Sequence, residues 1–289
     1  MLTVEDLADR RTGIGSSDAA AVCGIHPKAT AYGVYLDKLG QLPELQPNAA
    51  MRWGIRLEHA IADGYTEETG VPLITVPRCR HPEHNWMLAS IDRLTADRRK
   101  IVEIKTAGLF HSDEWGEPGT DQVPEPYVVQ VQHQMAVTNL NEADIAVLIG
   151  GQDFRIYSVL RSNRLIEHLI EILDAFWQRI LDRRPPDPDW QHPTTPQLIA
   201  AIGNIDDSLV VDLDQDILEC VKEYQSLGQS AKDTQDRRAT AKAKILHAMG
   251  DAALARLPDG YKLTRESVTR KAYSVAETTY IDFRVKTPR

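Results

Sequence analysis

Ser90-Ile91-Asp92 and Val102-Glu103-Ile104-Lys105 are the two stretches on which the reading of this chain turns. Each lies in a segment with strand character, 86–94 and 100–106, and the polar turn Ala96-Asp97-Arg98-Arg99 between them predicts an antiparallel hairpin. That hairpin would bring Asp92, Glu103 and Lys105 together, with Glu103 and Lys105 on one face by strand alternation. Two convergent carboxylates buried without a partner are costly, and a divalent cation removes the cost. Magnesium suits such a pair because it prefers oxygen and commonly takes one or two carboxylates plus waters and substrate phosphate. It would polarise a scissile phosphate and activate the attacking water, with Lys105 as a point charge beside both. A salt-bridge cluster on a surface hairpin accounts for the triad about equally well, because D…ExK is a common chance pattern. The surroundings must decide.

Working outward, Tyr127, Gln130 and Gln134 stand at i, i+3 and i+7 on one face of a helix expected from about 127 to 137. An ordinary solvated face is the bland alternative. Asn48 to Thr69 reads as a long helix, with Trp53, Leu57, Ala60 and Ile61 as its apolar spacing and Gly70 as its stop. Glu58 on that helix is solvent-exposed by default, or a carboxylate supporting the metal region. Ser17 to Cys23 before Gly24 reads as a short helix with a serine near its N-cap, which places Ser17 where anions bind. Further strands are expected at 71–76, 143–149 and 154–160. A last core helix is expected at 163–181, with Leu165, Leu169, Ile172, Leu173, Phe176 and Ile180 as its stripe. The order helix, three strands, helix, two strands, helix makes an α/β core.

Arg183-Arg184-Pro185-Pro186-Asp187-Pro188-Asp189, extended by Pro193 and Pro196, predicts a boundary: a core over 1–184, a proline-rich linker over 185–205 and an extension over 206–289. Within the extension, 214–249 is helical, with Ile217, Val221, Tyr224, Leu227, Ile245 and Leu246 fitting an antiparallel helical pair or a coil and a loop near Gly228. Leu257-Pro258-Asp259-Gly260-Tyr261 is the turn of a hairpin. Lys262, Arg265, Arg270, Lys271, Arg284 and Lys286 make the tail basic, as a solvated surface or a DNA patch.

The net charge of −9 over 289 residues argues against wide DNA wrapping, so any DNA contact is local. Three scattered cysteines, Cys23, Cys79 and Cys220, argue against a disulfide framework, a four-cysteine zinc site and a cubane iron–sulfur cluster. Cys79, His81 and His84 could ligate zinc by residue type, although such a short loop more often means nothing. No GxxxxGK[ST] loop is present, which speaks against a helicase–nuclease. Without an apolar run long enough to span a membrane, or the basic and apolar regions of a secretory signal, a cytoplasmic protein is expected.

With these pieces in order, the sequence resembles the YqaJ-type viral recombinase family, which includes the lambda exonuclease and belongs to the PD-(D/E)xK nuclease superfamily. The likeness covers about residues 8 to 182. It rests on Arg10-Arg11-Thr12-Gly13-Ile14-Gly15-Ser16-Ser17-Asp18, on Trp53-Gly54 with Glu58, on Asp92, on Glu103-Ile104-Lys105, and on Tyr127 with Gln130 and Gln132. It implies a restriction-endonuclease-like core, a central mixed sheet flanked by helices, followed here by a C-terminal helical and β-hairpin extension. It further implies a magnesium-dependent 5′→3′ exonuclease on linear duplex DNA, with manganese able to substitute. The 3′ single strands left behind would serve a single-strand annealing protein in phage-type recombination. Asp92, Glu103 and the Ile104 carbonyl would ligate the metal, and Lys105 and Gln130 would position water, with Glu58 in support. Ser17 and either Arg10 or Arg11 would grip the 5′ phosphate, and Tyr127, Gln132 and Gln134 would join the substrate contacts. Ile91 stands where the superfamily name has proline, Arg93 where glycine is frequent, and Glu83 is a weak candidate for a further metal-site acid. By the same analogy a homo-oligomer, a trimer, is expected. An endonuclease of the same superfamily and a non-catalytic DNA-end module are the competing expectations.

Overall fold

A computed structural model describes residues 8–43, 48–202 and 208–269. The chain divides into two compact units, Met1–Gly203 and Asn204–Arg289. In the first unit, β1 (Ile14–Gly15) leads into α1 (Ser16–Val22) and α2 (Ala31–Lys38), and α3 spans Ala49–Thr69. Then come β2 (Leu73–Ile74), β3 (Cys79–Arg80), β4 (Met87–Ala89), β5 (Arg93–Thr95) and β6 (Lys100–Ala107). After a 3-10 turn at Leu109–Glu114 follow α4 (Glu125–Thr138), β7 (Glu142–Ile149), β8 (Asp153–Leu160), α5 (Asn163–Leu181) and α6 (Thr195–Ile202).

The main sheet runs β2-β5-β6-β7-β8, and a smaller one runs β1-β4-β3. Pairing is antiparallel except for β6 with β7 and β1 with β4. The parallel β6–β7 pair requires a crossover, which α4 supplies. The segment 86–94, expected as one strand, is therefore two: β4 and β5 lie in different sheets, and Ser90-Ile91-Asp92 is the crossing between them. Both α2 and the short strands β1 and β3 escape the sequence pattern, because so few residues show no periodicity.

The long helices end where their capping residues say they should. Asn48 accepts the Met51 amide at 2.9 Å, and Gly70 closes α3 with φ of 71°, a left-handed conformation that glycine adopts without strain. The buried face of α3 differs from expectation. Ile61, Ala62 and Tyr65 are buried against Val102, Ile104 and Ala146 of β6 and β7, whereas Trp53 is 56% exposed and Ala60 faces solvent. The second half of the helix lies over the sheet and Leu57 packs at the edge of the same cluster, while Trp53, nearer the start, stays largely exposed. On α5, Leu169, Leu173, Phe176 and Ile180 are buried as expected, Ile166 joins them, and Ile172 is exposed.

The other sheet face carries the main core, in which Ile101, Ala143, Ile145 and Val147 meet α1, α4 and α5. The two covered faces explain why β7 reads as a near-continuous apolar run. The proline-rich stretch expected as a linker packs onto the first unit: His192 Nε2 lies 2.9 Å from the His26 carbonyl, and Leu198 of α6 joins the core.

In the second unit, the stretch expected as an antiparallel helical pair or a coil is one uninterrupted 35-residue helix, α7 (Gln215–Met249), with no loop at Gly228. Asp214 caps it by accepting the Ile217 amide at 3.1 Å. The hairpin is present as β9 (Leu254–Arg256) paired antiparallel with β10 (Lys262–Thr264). Of the basic tail, Arg270, Lys271, Arg284 and Lys286 lie outside the described residues.

Beneath β7, on the α3 side, Tyr65 donates to Asp144 Oδ2 at 2.6 Å, Ser158 Oγ donates to its Oδ1 at 2.8 Å, and Lys100 lies 3.2 Å away. Asp144 is 4% exposed, so it depends on these donors. Tyr65→Phe should lower unfolding free energy by roughly 1–3 kcal/mol in urea titration, the usual cost of leaving a buried acceptor short of a donor.

Candidate active site

The last β5–β6 pair joins Arg93 to Val102. The next amide on that edge of β6, that of Ile104, has no strand opposite and is donated instead to Asp92 Oδ2 at 2.9 Å. Asp92 therefore takes the place of the missing rung, which is why the chain can leave one sheet there and enter the other. Glu103, one residue back, points to the opposite face and is 3% exposed. Its Oε1 accepts from Gln130 Nε2 at 2.5 Å and from Lys105 Nζ at 2.6 Å, and its Oε2 accepts from Gln134 Nε2 at 2.7 Å. The same Gln134 amide donates to the Ser90 carbonyl at 3.2 Å, tying the crossing to α4. Lys105 Nζ also sits 5.0 Å over the Tyr127 ring, which stacks on Trp115.

Burial and the neighbouring Glu103 charge push the Asp92 carboxyl up to about 7, against the Ile104 amide and Lys105, which favour the ionised form. Burial alone would lower the Lys105 ammonium, but the charge and hydrogen bond of Glu103, with Asp92 behind, hold it above its ordinary value. The pair is thus short of positive charge while Lys105 stays protonated. All its donors are oxygen, the set that a hard divalent cation takes. Glu58 reaches the same region from α3, where Arg93 Nη1 binds its Oε1 at 2.6 Å and the Asp92 carbonyl at 2.5 Å.

Asp92, Glu103 and Gln130 line a cavity of about 240 Å³ whose other walls include Arg10, Ser16, Ser17, Lys38, Arg78 and Ser90. The cationic group is built around Asp18. Burial would raise that carboxyl, but Lys38 at 2.7 Å, together with Arg10, lowers it on balance. Lys38 is almost fully buried and also donates to the Arg10 carbonyl at 2.9 Å, so it is committed to holding the loop. Arg78 is engaged by Asp9 at 2.5 Å and donates to Ser90 Oγ at 3.2 Å. Arg10 is 3.9 Å from Asp18 and 38% exposed, and so keeps reach into the cavity. The loop sits here because Gly13 lies against β4: a Cβ on it would be 2.3 Å from the Trp86 carbonyl, which accepts the Ile14 amide at 2.7 Å.

Asp92, Glu103 and Lys105 are brought together as the hairpin reading expects, and Gln130 reaches them from α4; Ser17 and Arg10 join Asp92, Glu103 and Gln130 in one cavity, which Lys105 does not line. Arg11 does not line it; its guanidinium lies against Gly40. Gln134 is fully buried behind Glu103, Tyr127 lies under Lys105, and Gln132 is used elsewhere, donating to the Leu160 carbonyl at 2.7 Å and accepting the Ser162 amide at 2.9 Å. None of these three is among the cavity-lining residues. The N-cap of α1 is Gly15, whose amide goes to Asp18, so Ser17 is an exposed first-turn residue rather than the cap. Cys79, His81 and His84 form no metal-donor cluster among the described residues, and His81 Nδ1 accepts the Glu83 and His84 amides. Glu83 itself is exposed in that turn. Lys38, Arg78 and Ser90 were not anticipated as cavity walls: the lysine is on a helix with no sequence signature, and the arginine lies in the irregular segment just before the two-residue strand β3.

A family model, the YqaJ-like viral recombinase domain, matches residues 7–141. The Uncharacterized protein YqaJ of Bacillus subtilis (strain 168) is 31% identical over 254 residues, which cover 86% of this chain and 78% of that protein. Among solved structures, the alkaline exonuclease LHK-Exo from Laribacter hongkongensis superposes with a TM-score of 0.51 at 24% identity, over 63% of this chain and 94% of that one. The same holds for LHK-Exo in complex with dAMP. The fold is thus the restriction-endonuclease-like α/β core, its mixed sheet flanked by helices, with the helical and hairpin extension beyond it.

A carboxyl whose pKa is raised in the fold binds its proton more tightly there than in the unfolded chain. Its contribution to stability falls as pH climbs from about 3.8 to about 7 and is level above that. In chelator at pH 8, Asp92→Asn should therefore raise the Tm, and the gain should vanish toward pH 4; an unchanged or lower Tm at pH 8 contradicts this account of the site.

Proposed function

We propose a nuclease function on this premise: the chain belongs to the YqaJ-like viral recombinase domain family. The proposed activity is magnesium-dependent exonucleolytic digestion of linear double-stranded DNA from its 5′ ends, leaving 3′ single strands suited to a single-strand annealing protein. The observation that carries it is one cavity shared by two groups of side chains, the carboxylates Asp92 and Glu103 and the cationic loop of Arg10 with Ser16 and Ser17. A phosphodiester chain presents both partners such a cavity needs, a terminal phosphate for the loop and a scissile phosphate for the carboxylates.

Asp92, Glu103 and the Ile104 carbonyl would hold the magnesium, which supplies Lewis-acid polarisation of the phosphate and a lowered water pKa. The chain's own residues do the rest. Lys105, fixed by Glu103 and the Tyr127 ring, holds a positive charge beside the reacting phosphate and orients the attacking water together with Gln130. Gln134 keeps the Glu103 carboxylate in one orientation, so no reorganisation is needed as charge develops. Arg93 fixes Glu58 at the margin of the site. Water attack on phosphorus breaks the P–O3′ bond, releases a 5′-nucleotide and leaves a new 5′ phosphate, the group that Arg10 and Ser17 would receive for the next turnover. Manganese would substitute, being a similar oxygen-seeking cation.

Digestion should be confined to linear DNA, favour a 5′ phosphate over a 5′ hydroxyl, and be abolished in Lys105→Ala. Arg10→Ala should erase the phosphate preference, whereas Arg11→Ala should keep it. Cutting of closed circular DNA would show an endonuclease instead, and end binding without digestion at any divalent cation would show a non-catalytic module.

A further inference from the structure

The long helix α7 is incomplete by itself. Over its 35 residues only Met249 is buried, and Ile217, Leu218, Leu227, Ile245 and Leu246 are exposed. At 1.5 Å per residue it extends about 52 Å. The seam 217, 221, 224, 228, 231, 235, 238, 242, 245, 249 keeps alternating steps of four and three, the spacing of helices that pack along their length. Its large apolar members are toward the two ends, Ile217, Val221 and Tyr224 at one and Ile245 and Met249 at the other, with Gly228, Ala231, Gln235, Arg238 and Lys242 between. A parallel partner in register would set each charged end against its like. An antiparallel partner sets Val221 against Ile245 and brings Leu218 to Leu246 on the flank, with Ile217 at the end where Met249 is already covered within its own unit.

Charge points the same way. Asp214, Asp216, Glu219 and Glu223 against Lys222 give 214–231 a net charge of −3. Lys232, Arg237, Arg238, Lys242 and Lys244 outweigh two aspartates and give 232–249 a net charge of +3. Part of this suits the macrodipole of a single helix, but that effect fades beyond the first and last turns, and Glu223, Arg237 and Arg238 lie farther in. Reversing a second identical helix places the acidic half of each along the basic half of the other.

We propose that α7 is a self-association surface, and that its partner is α7 of a second copy of this chain, packed antiparallel about a centre near Asp233. The sequence pattern that suits an antiparallel helical pair is present, and because the helix does not fold back at Gly228, the second member comes from another molecule. This inference is independent of the nuclease reading.

Cys220, exposed on α7, gives a direct test. In the antiparallel register it flanks Ala248 of the other copy, while within one helix the two positions are about 42 Å apart and cannot be bridged. The full-length Ala248→Cys protein, oxidised mildly and mapped by peptide mass spectrometry, should form an intermolecular 220–248 disulfide, and light scattering should show an assembly at least dimeric. Val221→Glu with Ile245→Glu, both surface changes within α7, should abolish the cross-link while leaving the far-UV spectrum and first-unit melting intact. Disulfides of 220 with 220 and 248 with 248 alone would establish a parallel pair and overturn the proposal. So would a monomer mass, an Ala248→Cys protein that assembles without forming the 220–248 bond, or a 220–248 bond that survives the double glutamate change.

Discussion

Burying Glu103 in the middle of the main sheet is the constraint on which the rest of the site depends. A carboxylate 3% exposed must be met by donors, and the chain supplies three from two elements: Lys105 from the same strand, and Gln130 and Gln134 from the crossover helix. The requirement fixes the rotation of α4 about its axis, since both glutamines must face β6. It also fixes the segment before β5, because Gln134 holds the Ser90 carbonyl with the same amide. Asp92 is then left beside a charge it cannot escape, held by an amide that the sheet leaves unpaired. Loss of α4's orientation would disturb the acidic pair, the ammonium and the sheet crossing together.

Much of this was legible in the amino-acid order, and the reasons are local. Glu103 and Lys105 share a face because strands alternate; Gln130 and Gln134 share one because helices repeat every 3.6 residues. The bounds of α3 could be read because Asn48 and Gly70 are strong end signals, and α5 because its apolar stripe repeats at helical spacing. What could not be read was set by long-range packing. Nothing in 86–94 marks the change of sheet, since either strand alone would carry the same apolar residues. The burial of only half of α3, and the withdrawal of Gln132 to the β8–α5 junction, depend on where neighbouring elements end rather than on their own periodicity.

Which of Arg10 and Arg11 faces the cavity was similarly undecidable from spacing, as adjacent residues on an irregular loop have no assigned side. Burial of Lys38 settles it: by holding the Arg10 carbonyl and Asp18 together, it sets the loop so that Arg10 lines the cavity and Arg11 lies against Gly40. A lysine so placed looks in sequence like any surface lysine near the end of a short helix.

The close approach of Gly13 to the Trp86 carbonyl has a consequence for how this chain can change over generations. The parallel contact of β1 with β4 joins two segments far apart in sequence, and Ser16 and Ser17 follow one while Ser90 and Asp92 follow the other. The two segments act as the jaws of a caliper whose gap is set in whole residues. An insertion or deletion between Gly13 and Asp18, or between Met87 and Asp92, would change that gap by up to a strand step of about 3.3 Å and pull the two walls of the cavity out of line. Length variation among descendants of this sequence should therefore collect elsewhere, in the 108–124 loop or beyond the first unit, while these two intervals keep their count even where their side chains drift.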